Sequence, residues 1–457
     1  MRCFASVAAH LQSKPATNAR VDWAAPGIPA GGSLPSTCLP MIRPNAQTPL
    51  DPATDAALLL RRIGFATLAL ALPLASLVSR RAAVVLVPIG VILLSIAALI
   101  EAPRWFAGNI RSSLFSRAGL TLWALVGWAV LSLVWSPYTG SATEKAANLF
   151  LAVALGFAGA AALPERMRAS NLNLAALGAG LAAIFALGLL LTEALGPVDS
   201  RAADAAGSVE RGVSVVLIMA WPALAWLLSR ERGLTALGLA LVVGLLALSR
   251  IEDGEAMAML CGAIAFGAVS ANRIVGARLM GGIMAGLMLL APLLPFLLLP
   301  FFRLSPAVFS TVGTGLDIWA DIISSRPVQL ITGHGLDTVL RGRTTGALPL
   351  EVPTTILFET WYELGLVGAA TAALCLYFAV SAAGRMPGAL AAGGVAAYVT
   401  AFALAALGFA SFQTWWLMTL TAVALLFTAI ARGQYRTERP VAPLGRRPKA
   451  PSLPTGQ

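Results

Sequence analysis

The amino-acid sequence predicts an all-α polytopic membrane protein with about twelve transmembrane helices. Of its 457 residues, 58% are hydrophobic and 12% are charged, which is about half the charged share of a soluble domain. The mean hydropathy is +0.80. Apolar runs of about 20 residues, the length that crosses a bilayer, recur between positions 63 and 431. This pattern excludes a soluble enzyme, a secreted disulfide scaffold and a disordered chain.

Each predicted helix is an apolar run close to the length that crosses a bilayer. The first span is the weakest, because it is short and arginine pairs bound it on both sides. The predicted spans are 63–79, 82–100, 118–136, 146–163, 172–195, 212–229, 233–249, 255–271, 279–302, 362–382, 388–408 and 413–431.

Basic residues in the connections predict the orientation of these spans. With the N-terminus in the cytoplasm, the inner connections hold twelve arginines, whereas the short outer connections hold six basic residues. This distribution follows the positive-inside rule, and only the pair Arg80 and Arg81 opposes it. We therefore expect a multi-pass protein of the bacterial inner membrane with both termini in the cytoplasm. Residues 1–50 and 432–457 carry net charges of +3 and +5, which suit anionic lipid rather than nucleic acid.

The charge and hydropathy pattern divides the chain into five segments. Residues 1–60 are predicted to be a disordered cytoplasmic extension rich in Pro, Gly, Ser and Thr, with Met41 as an alternative start. Helices 1–9 occupy 61–302, one long extracytoplasmic loop occupies 303–361, helices 10–12 occupy 362–431, and 432–457 is a basic tail. Within the loop, GLDIWADIISSR has the spacing of an amphipathic helix, so we expect the loop to be ordered and to carry any chemistry.

Several motifs that support catalysis elsewhere are missing from the sequence. It has no Walker A loop and no HExxH motif, and its histidines are His10 and His334. The four cysteines show no CxxC spacing. We therefore expect neither a metal site nor a cofactor. No predicted span contains a charged residue well inside it, which argues against an ion-coupled relay.

Arginines gather at the predicted outer ends of the helices. A guanidinium there can bind a phosphate group through two hydrogen bonds. Arg211 opens the sixth span and has a structural alternative as an interfacial anchor paired with Glu210. Arg250 has acidic neighbours that favour a salt-bridged loop instead. The candidate phosphate contacts are Arg211, Arg250, Arg303, Arg326 and Arg341.

Two further residues are candidates for catalysis. His334 lies between Gly333 and Gly335, and glycine permits a close approach of the backbone to a ligand. The imidazole is a candidate general base, and the alternative is a turn histidine without a chemical role. Glu363 is predicted at the outer start of the tenth helix, where the alternative role is to complement the helix dipole.

Four segments in this order and topology resemble the O-antigen ligase and polymerase superfamily of bacterial inner-membrane glycosyltransferases. They are SLVWSPYTGSATEKAANL after the third span, the sixth helix that Arg211 opens, LALSR at the end of the seventh helix, and DIWADIISSRPVQLITGHGLDT…PTTILFETWYELGLVGA. The resemblance covers roughly residues 118–382. One difference is clear: where the family has a His-Asn pair, this chain has Thr354 and Thr355.

The resemblance implies transfer of a glycan from a polyprenyl-pyrophosphate carrier to a hydroxyl of lipid A core or of another glycan. In this interpretation Arg211 and Arg303 contact the pyrophosphate, His334 replaces the missing family histidine as a base, and Glu363 orients the loop. Ligase and polymerase activities are not separated by the sequence. The alternatives are a non-catalytic scaffold of an envelope-glycan complex and a transporter of a lipid or amphiphile.

Overall fold

The structure, a computed structural model, describes residues 52–195, 200–250, 254–303, 306–325, 329–408 and 413–435. The predicted N-terminal extension with Met41 and His10, most of the basic tail, and Arg326 lie outside these residues. The backbone of Arg303 is described, but its side chain is not.

The described chain is helical throughout, apart from one pair of two-residue strands. The first ten helices are α1 Pro52–Val78, α2 Ala82–Glu101, α3 Pro103–Leu114, α4 Arg117–Leu131, α5 Thr139–Ala162, α6 Ala169–Leu195, α7 Ser200–Ser229, α8 Gly233–Leu248, α9 Glu255–Ala271 and α10 Arg273–Leu290. The remaining helices are α11 Leu294–Arg303, α12 Pro306–Ser325, α13 Gln329–Thr332, α14 Thr338–Thr345, α15 Ile356–Ala383, α16 Gly388–Ala406 and α17 Thr414–Arg432. The strands β1 Met167–Arg168 and β2 Gln434–Tyr435 pair in parallel.

Ten helical segments of the described chain are long and apolar enough to cross a membrane, so the prediction of an all-α, multi-pass membrane protein is confirmed. Every predicted span falls on a helix. Two of them, α8 and α9, are shorter apolar helices. The α7 helix is the most enclosed by its neighbours.

Several helices begin earlier than hydropathy predicted. The α5 helix begins at Thr139 rather than 146, and α15 begins at Ile356 rather than 362. Lys145, Glu359 and Glu363 therefore lie within the first two turns of helices. Hydropathy placed the starts of these helices too late because their first two turns carry charged residues that find partners inside the bundle.

Contacts between helices define two ends of the bundle. At one end, Arg432 donates hydrogen bonds to the carbonyl oxygens of Leu163 and Ala160, so α5 and α17 finish together. Midway, the Thr421 hydroxyl lies 3.4 Å from the Ala152 carbonyl oxygen. The two helices therefore run parallel, and both begin at the other end. We call these the Arg432 end and the Lys145 end.

Candidate functional site

Three segments that are distant in sequence meet at the Lys145 end. The turn after α4 contains Ser136, whose hydroxyl donates to the Leu336 carbonyl oxygen at 2.9 Å. Two residues later, the Tyr138 hydroxyl lies 3.0 Å from the hydroxyl of Thr345 in α14. The Gly335 backbone packs so closely on Ser136 that a Cβ atom would lie 2.6 Å from the Ser136 Cα. The segment 333–345 therefore packs against the turn after α4.

The third segment is the first half of α15, which is broken at Gly365. This residue has φ 64° and ψ −160°, outside the helical region, in a conformation that glycine adopts readily. The break removes helical partners from the preceding carbonyl groups, and such groups need other donors inside a membrane protein. The backbone N–H groups of His334 and Gly335 donate to the carbonyls of Tyr362 and Glu363 at 2.8 and 3.0 Å.

A third donor satisfies another carbonyl group of the broken helix. The Trp128 indole N–H on α4 donates to the Leu364 carbonyl oxygen at 2.8 Å. Gly333 has φ +74°, and a side chain there would collide with the Glu363 carbonyl. We call residues 333–335 the GHG segment. This segment and Trp128 of α4 are therefore both held against the break in α15.

A buried ion pair of Lys145 and Glu363 lies next to the break in α15. The Lys145 ammonium of α5 donates to both Glu363 carboxylate oxygens, at 3.0 and 2.9 Å. Glu363 is fully buried, and its Oε1 also accepts from the Val339 backbone N–H at 3.3 Å. Asp337 lies 3.9 Å from Lys145 and 3.4 Å from the Arg341 guanidinium. We call Lys145, Asp337, Arg341, Glu359 and Glu363 the Lys145 cluster.

The charge balance of the Lys145 cluster indicates what it can bind. Glu359 lies one helical turn before Glu363 and is also buried. Three carboxylates then face two cationic groups, so the formal net charge is −1. This environment disfavours a diphosphate, which carries negative charge itself. The cluster instead fixes the segment 336–341 against α15, and Glu363 positions this segment through its bond to Val339.

His334 is stacked against the same helix. Its ring lies 3.9 Å from the Tyr362 ring and nearly parallel to it, and its Nδ1 is 3.1 Å from the Tyr362 carbonyl oxygen. Because a carbonyl oxygen can only accept, this contact requires a proton on Nδ1, and the neutral imidazole then has its lone pair on Nε2. That is the arrangement of a histidine base.

A small aromatic cavity adjoins the imidazole. It has a volume of about 20 Å³, which is room for one water molecule and too little for a sugar ring. Trp319 and Trp361 line it and are buried, and the Trp361 indole donates to the Met288 carbonyl oxygen at 2.7 Å. These tryptophans are therefore part of the packing between α10, α12 and α15.

Arginines form a second polar group at the Lys145 end. Arg211 lies over the ring of Trp415, 5.6 Å from its centre. The Arg80 guanidinium packs against Gly207 of α7, one turn before Arg211. Arg211 is repelled by Arg80 and attracted by the neighbouring Glu210. An anion bound between the two guanidinium groups would reduce their repulsion further. We call Arg80, Arg211 and Trp415 the arginine pair site.

Arg250 belongs to a different network. Its Nε lies 3.3 Å from Oε2 of Glu255, which is fully buried, and the Ser214 hydroxyl donates to Oε1 of the same carboxylate at 3.0 Å. Arg250 therefore neutralises Glu255, an acidic neighbour with which the sequence suggested pairing. Ser214 follows Arg211 by one turn of α7, so this network lies next to the arginine pair site along the helix.

The Lys145 cluster and the arginine pair site lie at the same level of the bundle. Lys145 precedes Ala152 by seven residues on α5, and Trp415 precedes Thr421 by six residues on α17. Each step raises a helix by about 1.5 Å, so both side chains lie about 10 Å above the contact between Thr421 and Ala152. The polar groups carried by α5, α7, α14, α15 and α17 therefore lie at the same end of the bundle.

No family model, curated protein or solved structure matches this chain. Within the described residues, no group of three His, Cys, Asp or Glu side chains is placed to hold a metal ion.

The predicted site residues are distributed unevenly over these groups. The structure brings His334, Arg341 and Glu363 together and places Arg211 beside Arg80. The side chains of Arg303 and Arg326 lie outside the described residues. Glu363 lies in the second turn of α15, and Glu359 is the acidic residue of its first turn, so the suggested helix-dipole role of Glu363 was wrong.

Thr354 and Thr355 occupy the positions where the resembling family has histidine and asparagine. The Thr355 hydroxyl caps α15 by accepting from the Phe358 backbone N–H at 3.2 Å. Thr354 lies beside Gly408 at the end of α16. Both threonines therefore have local packing or capping roles, and neither replaces a base.

Sequence reasoning missed Lys145 and Arg80. Lys145 is the only lysine between positions 15 and 448, although arginine is plentiful there. Its position in the second turn of an apolar helix was a signal that it needed a buried partner. Arg80 was recognised only as an exception to the orientation rule. A cation that violates the positive-inside rule is a candidate ligand-binding residue.

Proposed function

We propose that this protein is a glycosyltransferase of the O-antigen ligase or polymerase type, which acts at the extracytoplasmic face of a bacterial inner membrane. The proposal rests on one observation: the turn after α4, the GHG segment and the start of α15 form a single site. They come from two of the four segments that carry the family resemblance. Nothing in their sequence separation requires them to meet.

The proposed orientation places the Lys145 end outside the cytoplasm. It assigns twelve membrane crossings, including the short helices α8 and α9, and both termini to the cytoplasm. The segment 303–361 then caps the outer end of the bundle with α12, α13 and α14. The many arginines of the Arg432 end face the cytoplasm in this arrangement, as the positive-inside rule requires.

In the proposed reaction, the acceptor hydroxyl attacks the anomeric carbon of the sugar that is attached to the carrier. The bond between this carbon and the diphosphate oxygen breaks, and the polyprenyl diphosphate leaves with the bonding electrons. Arg80 and Arg211 stabilise the charge that develops on the leaving group. ATP is not required, because the diphosphate is already a good leaving group.

The proton of the acceptor hydroxyl needs a base, and His334 is the candidate for this role. A sugar hydroxyl would reach the imidazole after α12 moves away from α15, because the present cavity holds only one water molecule. The Lys145 cluster positions His334, since it fixes the chain that follows the GHG segment, at Asp337 and Val339. Arg303 and Arg326 remain candidates for additional contacts with the diphosphate.

Deletion of the gene tests the proposal. We expect loss of long surface glycan on electrophoresis and accumulation of the lipid-linked precursor, both restored by the wild-type gene. His334→Ala should fail to restore them, because a general base contributes roughly 100-fold or more to the rate. Thr354→Ala is the matched control and should restore both. An unchanged glycan profile after deletion would contradict the proposal, and full activity of His334→Ala would remove His334 from it.

A second candidate function, transport of a lipid or amphiphile, is favoured by two features. The α15 helix is broken at Gly365, and a buried ion pair of Lys145 and Glu363 adjoins the break. Discontinuous helices and charged residues between helices are common in transporters. Movement of a labelled polyprenyl-linked glycan across proteoliposomes, without glycan transfer, would support this function instead. A non-catalytic scaffold, the remaining alternative, would restore the glycan profile even as His334→Ala.

A further inference from the structure

A large cavity lies at the Arg432 end, opposite the proposed reaction site. Its volume is about 730 Å³, and it lies between α1, α2, α3 and the start of α6. Four arginines line it together with two glutamates, so its formal net charge is +2. The charged lining residues are Arg61, Arg62, Arg166, Arg168, Glu101 and Glu165.

One of these arginines has unused hydrogen-bonding capacity inside the cavity. Arg61 forms an ion pair with Glu101 through one terminal nitrogen. Its Nε is buried and has no hydrogen-bond partner. A buried N–H group without an acceptor is unfavourable, and an anionic oxygen in the cavity would satisfy it. Arg62 and Arg166 are both exposed to the same space.

The apolar part of the lining indicates what carries the anion. Leu58 and Leu59 of α1 line the cavity with 38% and 59% of their surface exposed. They lie one turn from Arg61 and Arg62 and continue into the apolar surface of a membrane-spanning segment. Trp105 of α3 lies on the other side and packs under Arg432. A ligand in this cavity would contact arginine side chains at the ends of the helices and apolar side chains immediately beside them.

We propose that this cavity binds the phosphate headgroup of an acidic phospholipid, with the first part of an acyl chain along Leu58 and Leu59. Basic pockets between helices at a membrane surface bind such headgroups. In this proposal Arg62 and Arg166 contact the phosphate oxygens, and the Arg61 Nε–H donates a hydrogen bond to the same phosphate group. Bound lipid would join α1 to the connection between α5 and α6. This inference is independent of the proposed glycan transfer and of the orientation.

The test measures phospholipid binding to the purified full-length protein by native mass spectrometry in detergent. Dioleoyl phosphatidylglycerol and dioleoyl phosphatidylcholine are titrated separately. We expect a clear preference for phosphatidylglycerol. Arg62→Gln with Arg166→Gln should lower the affinity for it by about tenfold or more, since each basic residue near the surface contributes measurably to binding. The same two positions changed to lysine should retain most of the preference.

The matched control is Arg111→Gln with Arg232→Gln, which removes the same charge from the Arg432 end outside the cavity lining. Equal weakening in the control and the cavity variant would overturn the proposal, as would equal binding of the two lipids by the wild type. The last experiment adds inorganic phosphate as a competitor of phosphatidylglycerol. If it displaces phosphatidylglycerol at millimolar concentration, the site recognises free phosphate rather than a lipid, and the proposal fails.

Discussion

The Lys145 ammonium donates to both carboxylate oxygens of Glu363, at 3.0 and 2.9 Å, although 218 positions of sequence separate the two residues. This pair joins α5 to α15 beside the break at Gly365. It sets the position of the chain from His334 to Val339, which carries the candidate base.

The first prediction concerns the energy of this ion pair. Removal of one partner leaves the other charged and buried, which costs about 3–5 kcal/mol. Glu363→Gln and Lys145→Met should each lower the thermal unfolding midpoint strongly. The double variant should be more stable than either single variant, because neither Lys145 nor Glu363 is then left as a buried charge without its main partner. The midpoint in detergent, followed by intrinsic tryptophan fluorescence, measures this.

An exposed ion pair in the same cluster provides the control for this comparison. Arg341 is 47% exposed in its side chain, and exposed pairs contribute about 0–1 kcal/mol. Arg341→Gln should therefore leave the unfolding midpoint almost unchanged. If the double variant were as unstable as the sum of the single variants, the ion pair would not be the cause of the loss.

The second prediction compares two glycines that have positive φ. Gly365 has φ 64° and ψ −160°, a conformation essentially restricted to glycine, and Gly346 has φ 75° and ψ 9°, the left-handed helical conformation. A Cβ at Gly365 would lie 2.6 Å from the Ile331 carbonyl oxygen, whereas nothing lies within 4 Å of a Cβ at Gly346. Gly346→Ala should cost only about 1–2 kcal/mol of conformational strain. Gly365→Ala should cost clearly more and release the GHG segment.

Hydrogen exchange of the peptide that contains His334 and Gly335 detects this release. Their backbone N–H groups should exchange faster in Gly365→Ala and at the wild-type rate in Gly346→Ala. Equal exchange in the two variants would mean that the break in α15 does not hold the GHG segment.

The third prediction distinguishes two arginines that the sequence treated alike. Arg250 neutralises the buried Glu255, so Arg250→Gln should destabilise the protein and affect function only as a consequence. Arg211 lies beside Arg80, which repels it, and Glu210, which attracts it, so Arg211→Gln removes two opposing interactions. It should leave the unfolding midpoint nearly unchanged while it weakens glycan transfer.

Complementation of the deletion strain and thermal unfolding of the purified variants measure the two effects together. Arg211→Lys keeps the charge but loses the two-pronged hydrogen bonding of arginine, and it should restore transfer only in part. Full transfer by Arg211→Gln would exclude the arginine pair site from the reaction.

Hydropathy alone predicted the fold class, and each predicted span falls on a helix. It failed at the first two turns of α5 and α15, because Lys145, Glu359 and Glu363 interrupt the apolar runs there. The helices continue there since the charges are neutralised by residues from other parts of the chain. Such partners are not visible to a method that reads one window at a time.

The candidate site was predicted in part for the same physical reason. The glycines around His334 and the WSPY turn were recognisable as local motifs. Their contact through Ser136 and Leu336 depends on how α4 and α15 pack, which no local pattern encodes. Arg80 was misjudged because its role depends on Gly207 of α7, where the absence of a side chain makes room for a guanidinium group.

The central claim is that the Lys145 cluster and the segment above it face the extracytoplasmic side. Single cysteines at Gly346 and Arg111, in a chain whose four natural cysteines are replaced by serine or alanine, test it directly. In intact cells with a permeable outer membrane, a membrane-impermeant maleimide should label the cysteine at 346 and leave the one at 111 unlabelled until lysis. Labelling of 111 alone before lysis would contradict the account.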